Sequence, residues 1–169
     1  MQRPFFLRPD DASDYVAIRR EMLLDAPWAF LASPGQDRGS DVEKVRASLE
    51  RSDAAIAAVR EDNRLVAVAG VAREEAIKRR HIAVIWGVYV RPAFRGRGLA
   101  RAVVEAAFGF AGSCDGVASV HLAVSEHAPV ARRLYESIGF VQWGYEPDAV
   151  RIDGRSFGEH HMAKSVSPA

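Results

Sequence analysis

Apolar positions along the chain recur with two periods, and the switches between them predict the order of elements. Residues 5–8 read as a short strand. Over residues 11–25, Tyr15, Ile18, Met22 and Leu23 return at helical spacing behind two acids suited to a helix N-terminus. Residues 26–39 hold two prolines and two glycines around Trp28 and Phe30, which predicts an irregular but packed segment, either core or substrate wall. Ser40 and Glu43 have capping-box spacing ahead of Val42, Val45 and Leu49, and predict a second helix to about residue 51. The period then changes to two. Residues 54–59 and 65–71 are β-type runs joined by Glu61, Asp62, Asn63 and Arg64, a hairpin signal. Residues 82–90 are continuously apolar, as in a strand buried on both faces, and Pro92 ends them. Leu99, Val103, Ala107 and Phe110 form one helical stripe, so a helix is expected over 98–111 with Gly112 as its stop. A strand at 117–124 follows. The next helix starts at Pro129, carries Val130, Leu134 and Ile138 on its apolar face, and stops at Gly139. Three short strands, at 140–145, 150–152 and 157–164, close the chain, with Asp153-Gly154 as a turn. The expected fold is mixed α and β, and residues 1–169 are expected to form one domain, since no repeat or linker-like composition shift divides them.

Composition narrows the classes. Of 169 residues, 49% are hydrophobic and 27% charged, which excludes a mainly disordered chain. The longest uncharged apolar run, residues 82–90, is far short of the ~20 residues a membrane span needs. The N-terminus has no apolar region of signal-peptide length, and the single cysteine, Cys114, can form neither an internal disulfide nor a thiolate metal site. A cytoplasmic protein is expected. Net charge is +1, so the overall field gives no reason to expect nucleic acid or a membrane as partner. The distribution is less even: between Glu75 and Glu105 there is no acid, while Lys78, Arg79, Arg80, Arg91, Arg95, Arg97 and Arg101 all fall there.

The chemistry concentrates after residue 90. A buried strand breaks at Pro92 and re-enters a helix through Gly96 and Gly98, with Arg95, Arg97 and Arg101 around the same point. Glycines let the backbone approach a ligand closely, the first helical turn leaves its amides unpaired, and the helix dipole adds up to ~2 kcal/mol for an anion. That is a pyrophosphate cradle. Neither GxxxxGK[ST] nor the third glycine of a dinucleotide fingerprint is present, since Arg101 stands at that place.

Arg95-Gly96-Arg97-Gly98-Leu99-Ala100 satisfies R-x-x-G-x-A, the acetyl-CoA loop, and the segment 86–107 resembles the strand, loop and helix of the GNAT superfamily of acetyl-CoA-dependent N-acetyltransferases. The segment 124–140 is similar to that family's last helix, with A-x-x-L-Y in Ala131, Leu134 and Tyr135 and G-F in Gly139-Phe140. The resemblance implies a mixed, mostly antiparallel twisted sheet of about seven strands, flanked by about four helices, whose fourth and fifth strands splay apart. It also implies acetyl-CoA as acyl donor. The pantetheine arm would bond the backbone of Val88, Tyr89 and Val90. The pyrophosphate would sit on the loop Arg95, Gly96, Arg97, Gly98, Leu99, Ala100 and Arg101. Tyr135 would protonate the departing thiolate. One departure from the family pattern stands out: its asparagine opening the last helix is Ala128 here, and Ser125 or the backbone would have to supply the missing contacts.

Other readings weigh against these. Three arginines cannot all face one pyrophosphate, so at least one belongs to a solvated face. Glu126, Glu21 and Glu146 are the candidate general bases, with Glu126 at the strand end taken as the catalytic one. His81, His121, His160 and His161 match no metal-ligand spacing, and no metal is expected. Gly112-Ser113-Cys114-Asp115-Gly116 imitates a nucleophile elbow, but it lies between helix and strand, the reverse of the required order. The expected activity is acetyl transfer to a primary amine of a small molecule or protein by direct attack, with a homodimer left open. The alternative is a non-catalytic acyl-CoA binding or sensing module.

Overall fold

The computed structural model describes residues 3–166. In chain order the elements are β1 (Phe5–Phe6), α1 (Ala12–Asp25), α2 (Val42–Leu49), β2 (Ala54–Glu61), β3 (Arg64–Arg73), β4 (Ile82–Val90), α3 (Leu99–Ser113), β5 (Ser119–Ser125), α4 (Pro129–Ile138), β6 (Val141–Ile152) and β7 (Arg155–Ser165). The strands form one sheet in the order β1-β2-β3-β4-β5-β7-β6. Every neighbouring pair is antiparallel except β4 and β5, which are parallel.

That parallel seam is short. Only Ile82, Ala83 and Val84 pair with β5, opposite Ser119, Val120 and His121. Beyond them the strands part, and residues 85–90 have no β5 partner. Two backbone features drive β4 away. Its register against β3 slips between Val68 and Gly70, and Gly87 in that slip has a φ of 60°, a conformation that favours glycine. Across the ladder, Trp86 lies over Gly70, where a Cβ would stand 2.5 Å from the indole. Because its second half borders this opening, β4 is not buried on both faces as its apolar run suggests: Trp86 is exposed and Val88 and Val90 are partly so.

Each face of the sheet carries its own core. On one face, Val103, Val104 and Ala107 of α3 and Tyr135 of α4 pack on Ala69, Ile85, Val120, Leu122, Val124 and Met162. On the other, Tyr15, Ile18 and Met22 of α1 and Val45 of α2 pack on Ile56, Ala58, Val68 and Tyr89. Each fully buried Val or Ile there stabilises by about 1.5–3 kcal/mol relative to exposure. The helices cover β1 to β4 on this second face.

Three local expectations are corrected. The cap of α2 is Asp41, not Ser40: its carboxylate accepts from the N–H groups of Glu43 (3.0 Å) and Lys44 (3.2 Å), while the Ser40 hydroxyl donates back to the Asp37 carbonyl. The helix α3 runs through Gly112 to Ser113, because the Ala111 carbonyl takes the Cys114 N–H and turns the chain there instead. The two tail strands at 140–145 and 150–152 are one strand, β6, with a register shift between Glu146 and Val150 where Pro147 lacks a donor. The Asp153-Gly154 turn and the left-handed stop at Gly139 form as expected.

Candidate active site

The parting of β4 from β5 opens a cavity of about 620 Å³ that runs past the sheet from one face to the other. Val88, Tyr89 and Val90 form its strand wall; Arg95, Gly96, Gly98, Leu99, Ala100 and Arg101 form the loop at one end. Tyr135 of α4 and the irregular segment with Trp28 and Phe30 close the remaining sides. Trp28 and Phe30 thus serve as wall, and Phe30 also packs against the core under α1 and α2.

The loop is shaped by its glycines. Gly96 (φ 75°) and Gly98 (φ 77°) are both left-handed, and Gly98 is the residue from which α3 starts, with no side chain bonding its first amides. The orphan N–H groups of the first turn are therefore left to a ligand. Arg95 and Arg101 border the cavity, whereas Arg97 does not: it donates to the Ala93 carbonyl (3.2 Å), pairs with Glu61 (3.6 Å) and covers the Phe94 ring. One arginine of the three belongs to the surface, as charge crowding requires.

The remaining arginines are not free cations. Arg91 pairs with Glu21 (2.9 Å), Arg95 with Asp25, and Arg101 with Glu105 (3.1 Å) and the Ser137 hydroxyl (2.7 Å). The segment without acids is supplied with them by α1 and by the next turn of α3. Arg95 also donates to the Val90 carbonyl (3.0 Å), which fastens the loop to the end of β4. Asp25, which lines the cavity, had no sequence signal beyond closing α1, because its partner Arg95 lies seventy residues away. His127, also on the cavity, is likewise revealed only by the fold; its ring stands between Trp28 (6.3 Å) and Phe157 (4.9 Å).

Two tyrosines face the opening. Tyr135 is buried, packs against Phe140 (6.2 Å), and burial pushes its hydroxyl pKa well above the ordinary value, so it stays protonated. Tyr89 is pushed up to about 12 by burial and then by the Asp25 carboxylate. Ala128 is the N-cap residue of α4 and lines the cavity, offering no side-chain bond to the first amides; Ser125 Oγ accepts from the His127 N–H (3.3 Å) in the turn before it.

The acids named from sequence have other partners. Glu126 does not line the cavity: its carboxylate accepts from the Gly158 N–H (2.7 Å) and the Tyr145 hydroxyl (2.8 Å), and these two bonds, in that order, hold its pKa below the usual range. These bonds make it a strut to the β6–β7 hairpin. Glu21 is tied to Arg91. Glu146 lies with Glu159 and His161, their ligand atoms within 4.8 Å of one another.

The sequence model described as acetyltransferase (GNAT) family matches residues 18–140. The chain belongs to this family. As a GNAT acetyltransferase it is an acyltransferase, and acetyl-CoA is the donor its family uses. Its fold is that of solved GNAT structures. A GNAT acetyltransferase from Streptococcus pneumoniae superposes with a TM-score of 0.82 at 17% identity, over 98% of this chain and 99% of that one. The yncA protein of Salmonella typhimurium, solved with its cofactor acetyl-CoA, gives 0.79 at 19% identity, over 100% and 96%. Ribosomal-protein-alanine N-acetyltransferase from Brucella melitensis gives 0.78 at 20%, over 96% and 98%. No curated relative matches by sequence. Among the described residues of this GNAT protein no helix is long and apolar enough to cross a membrane.

Proposed function

We propose that the protein moves the acetyl group of acetyl-CoA to a primary amine by direct attack, without a covalent enzyme intermediate. One observation carries the reading: the glycine loop at the start of α3, the half of β4 that β5 leaves and the buried Tyr135 hydroxyl all border a single cavity. On the edge turned towards β5 the backbone of Val88, Tyr89 and Val90 has no strand partner, and there it would hold the pantetheine arm. The amides from Gly96 to Arg101 would take the pyrophosphate, helped by Arg95 and Arg101. Tyr135, kept neutral by burial, would give its proton to the departing thiolate. The acceptor would enter from the opposite face, past Trp28 and Phe30. A cytoplasmic location fits, since the donor is a cytoplasmic metabolite. The test is a screen of amine acceptors, including small amines, polyamines and peptide N-termini, following free CoA thiol. Acceptor-dependent release is expected; CoA binding without release for any amine would favour instead an acyl-CoA sensing module, the reading that Ala128 at the helix start motivates.

A further inference from the structure

The cavity has two halves of different character. Successive side chains of β4 point to opposite faces of the sheet. Val88 and Val90 accordingly pack with Leu99, Ala131 and Tyr135 on the side of α3 and α4, while Tyr89 packs on the side of α1 and α2, where Phe30 also lies. The first half holds the glycine loop and Tyr135, the parts read above as the donor site. The second half is bordered by Asp25, Trp28, Phe30, Tyr89 and His127.

Aromatic rings dominate this second half, and its charges already have partners. Asp25 is the sole acid bordering the cavity among the described residues, and Arg95 pairs with it. The Arg95 guanidinium also lies over the Tyr89 ring (5.8 Å) and bonds the Val90 carbonyl (3.0 Å). His127 turns Nε2 towards the Glu126 carboxylate (3.9 Å), which lies outside the cavity, and its ring stands 6.3 Å from the Trp28 indole. A pocket built this way selects by shape and apolar contact. A charge buried without a partner is costly, so the second ammonium of a polyamine or the carboxylate of an amino acid finds no counter-charge here. A single ammonium is accommodated, because the faces of Trp, Tyr and Phe attract a cation within ~6 Å of the ring.

We infer that the acceptor is an arylalkyl amine, a primary amine on a flat and uncharged aromatic body, and that Trp28 is the residue that selects it. The inference deepens the acyl-transfer reading above and rests on it. The aromatic body lies against Trp28, with ring-to-ring contact supplying the affinity that an ion pair would supply in a polar site. The nitrogen then reaches past Tyr89 to the thioester between the two halves.

The test measures kcat and KM of wild type, Trp28→Ala and Trp28→Phe with 2-phenylethylamine, n-propylamine, spermidine and a short peptide with a free N-terminus. Wild type is expected to favour 2-phenylethylamine over each of the others by ~10-fold or more in kcat/KM. Trp28→Ala is expected to lower the ratio of 2-phenylethylamine to n-propylamine ~10-fold, mostly through KM, and Trp28→Phe to keep most of it. Unchanged melting temperature and acetyl-CoA affinity show that the fold and the donor site of a variant are intact, and the wild-type preference decides the matter for a variant that does not fold. Wild type favouring spermidine, the peptide or n-propylamine, or an intact Trp28→Ala with the wild-type ratio, would overturn the inference while leaving acetyl transfer in place. A wild type that releases no CoA with any amine would remove the acyl-transfer reading and this inference together.

Discussion

At the scale of single residues, the site is defined by what is missing around a side chain as much as by what is present. Tyr135 is enclosed by Phe140 and the α3 core and has no carboxylate to share its proton. Its burial alone keeps it a phenol through the whole assay range, so the activity profile should show no basic limb from this group below about pH 10. Tyr135→Phe is expected to lower kcat ~100-fold and to leave acetyl-CoA affinity unchanged by calorimetry, because the ring remains and only the hydroxyl goes. Ala128 makes the opposite case. It holds the N-cap position of α4 (φ −112°, ψ 56°) with no side-chain oxygen to bond the first amides, although Pro129 follows at the first helical position, where a missing donor costs nothing. Ala128→Asn is expected to add about 1 kcal/mol of stability in a denaturant titration and to tighten acetyl-CoA binding, since the new side chain would sit on the cavity wall.

At the scale of elements, patterns that depend on neighbours a few residues apart were readable and those that depend on distant partners were not. The helical stripe of α1, the strand β4 to the residue, and the Pro129 start and Gly139 stop of α4 all follow from local spacing. The Ser40–Glu43 spacing pointed to Ser40 as the cap of α2; the backbone at Asp41 (φ −102°, ψ 113°) is what turns the Asp41 carboxylate onto the amides instead. The assignment is checked by two variants in thermal melts: Asp41→Ala should cost about 1 kcal/mol, and Ser40→Ala only a few tenths. The candidate site divides the same way. Its loop and Tyr135 were legible because the chemistry is written in consecutive residues, whereas Asp25 and His127 join it only through the tertiary fold. An acid-free stretch of sequence likewise gave no sign that α1 would return Glu21 and Asp25 to its arginines.

At the scale of the whole molecule, long-range ion pairs fasten the irregular segment that walls the cavity. Arg19 of α1, stacked over Trp86 (5.6 Å), bonds the Asp37 carboxylate (2.8 Å from Nη2), and the Gly39 N–H adds a third contact to it. Burial raises the pKa of Asp37, but the Arg19 bond and the Gly39 amide outweigh it, and the net shift is downward. A carboxyl depressed in the folded state stabilises above its unfolded pKa, near 4, and that contribution is lost as pH falls through the folded value. Asp37→Asn is therefore expected to cost about 2 kcal/mol at pH 7, and the gap to wild type in thermal melts should close below about pH 4. The three paired residues between β4 and β5 have a mechanical consequence. They make the protein two leaves on a narrow spine, β1 to β4 on one side and β5 to β7 on the other, with α3 as the main clasp across them. A donor arm seated along the bare edge of β4 would act as mortar between the leaves. At a hundredfold excess over its Kd it would add about 2.7 kcal/mol to the folded state, so that the melting temperature of this protein would rise and fall with the supply of its own substrate.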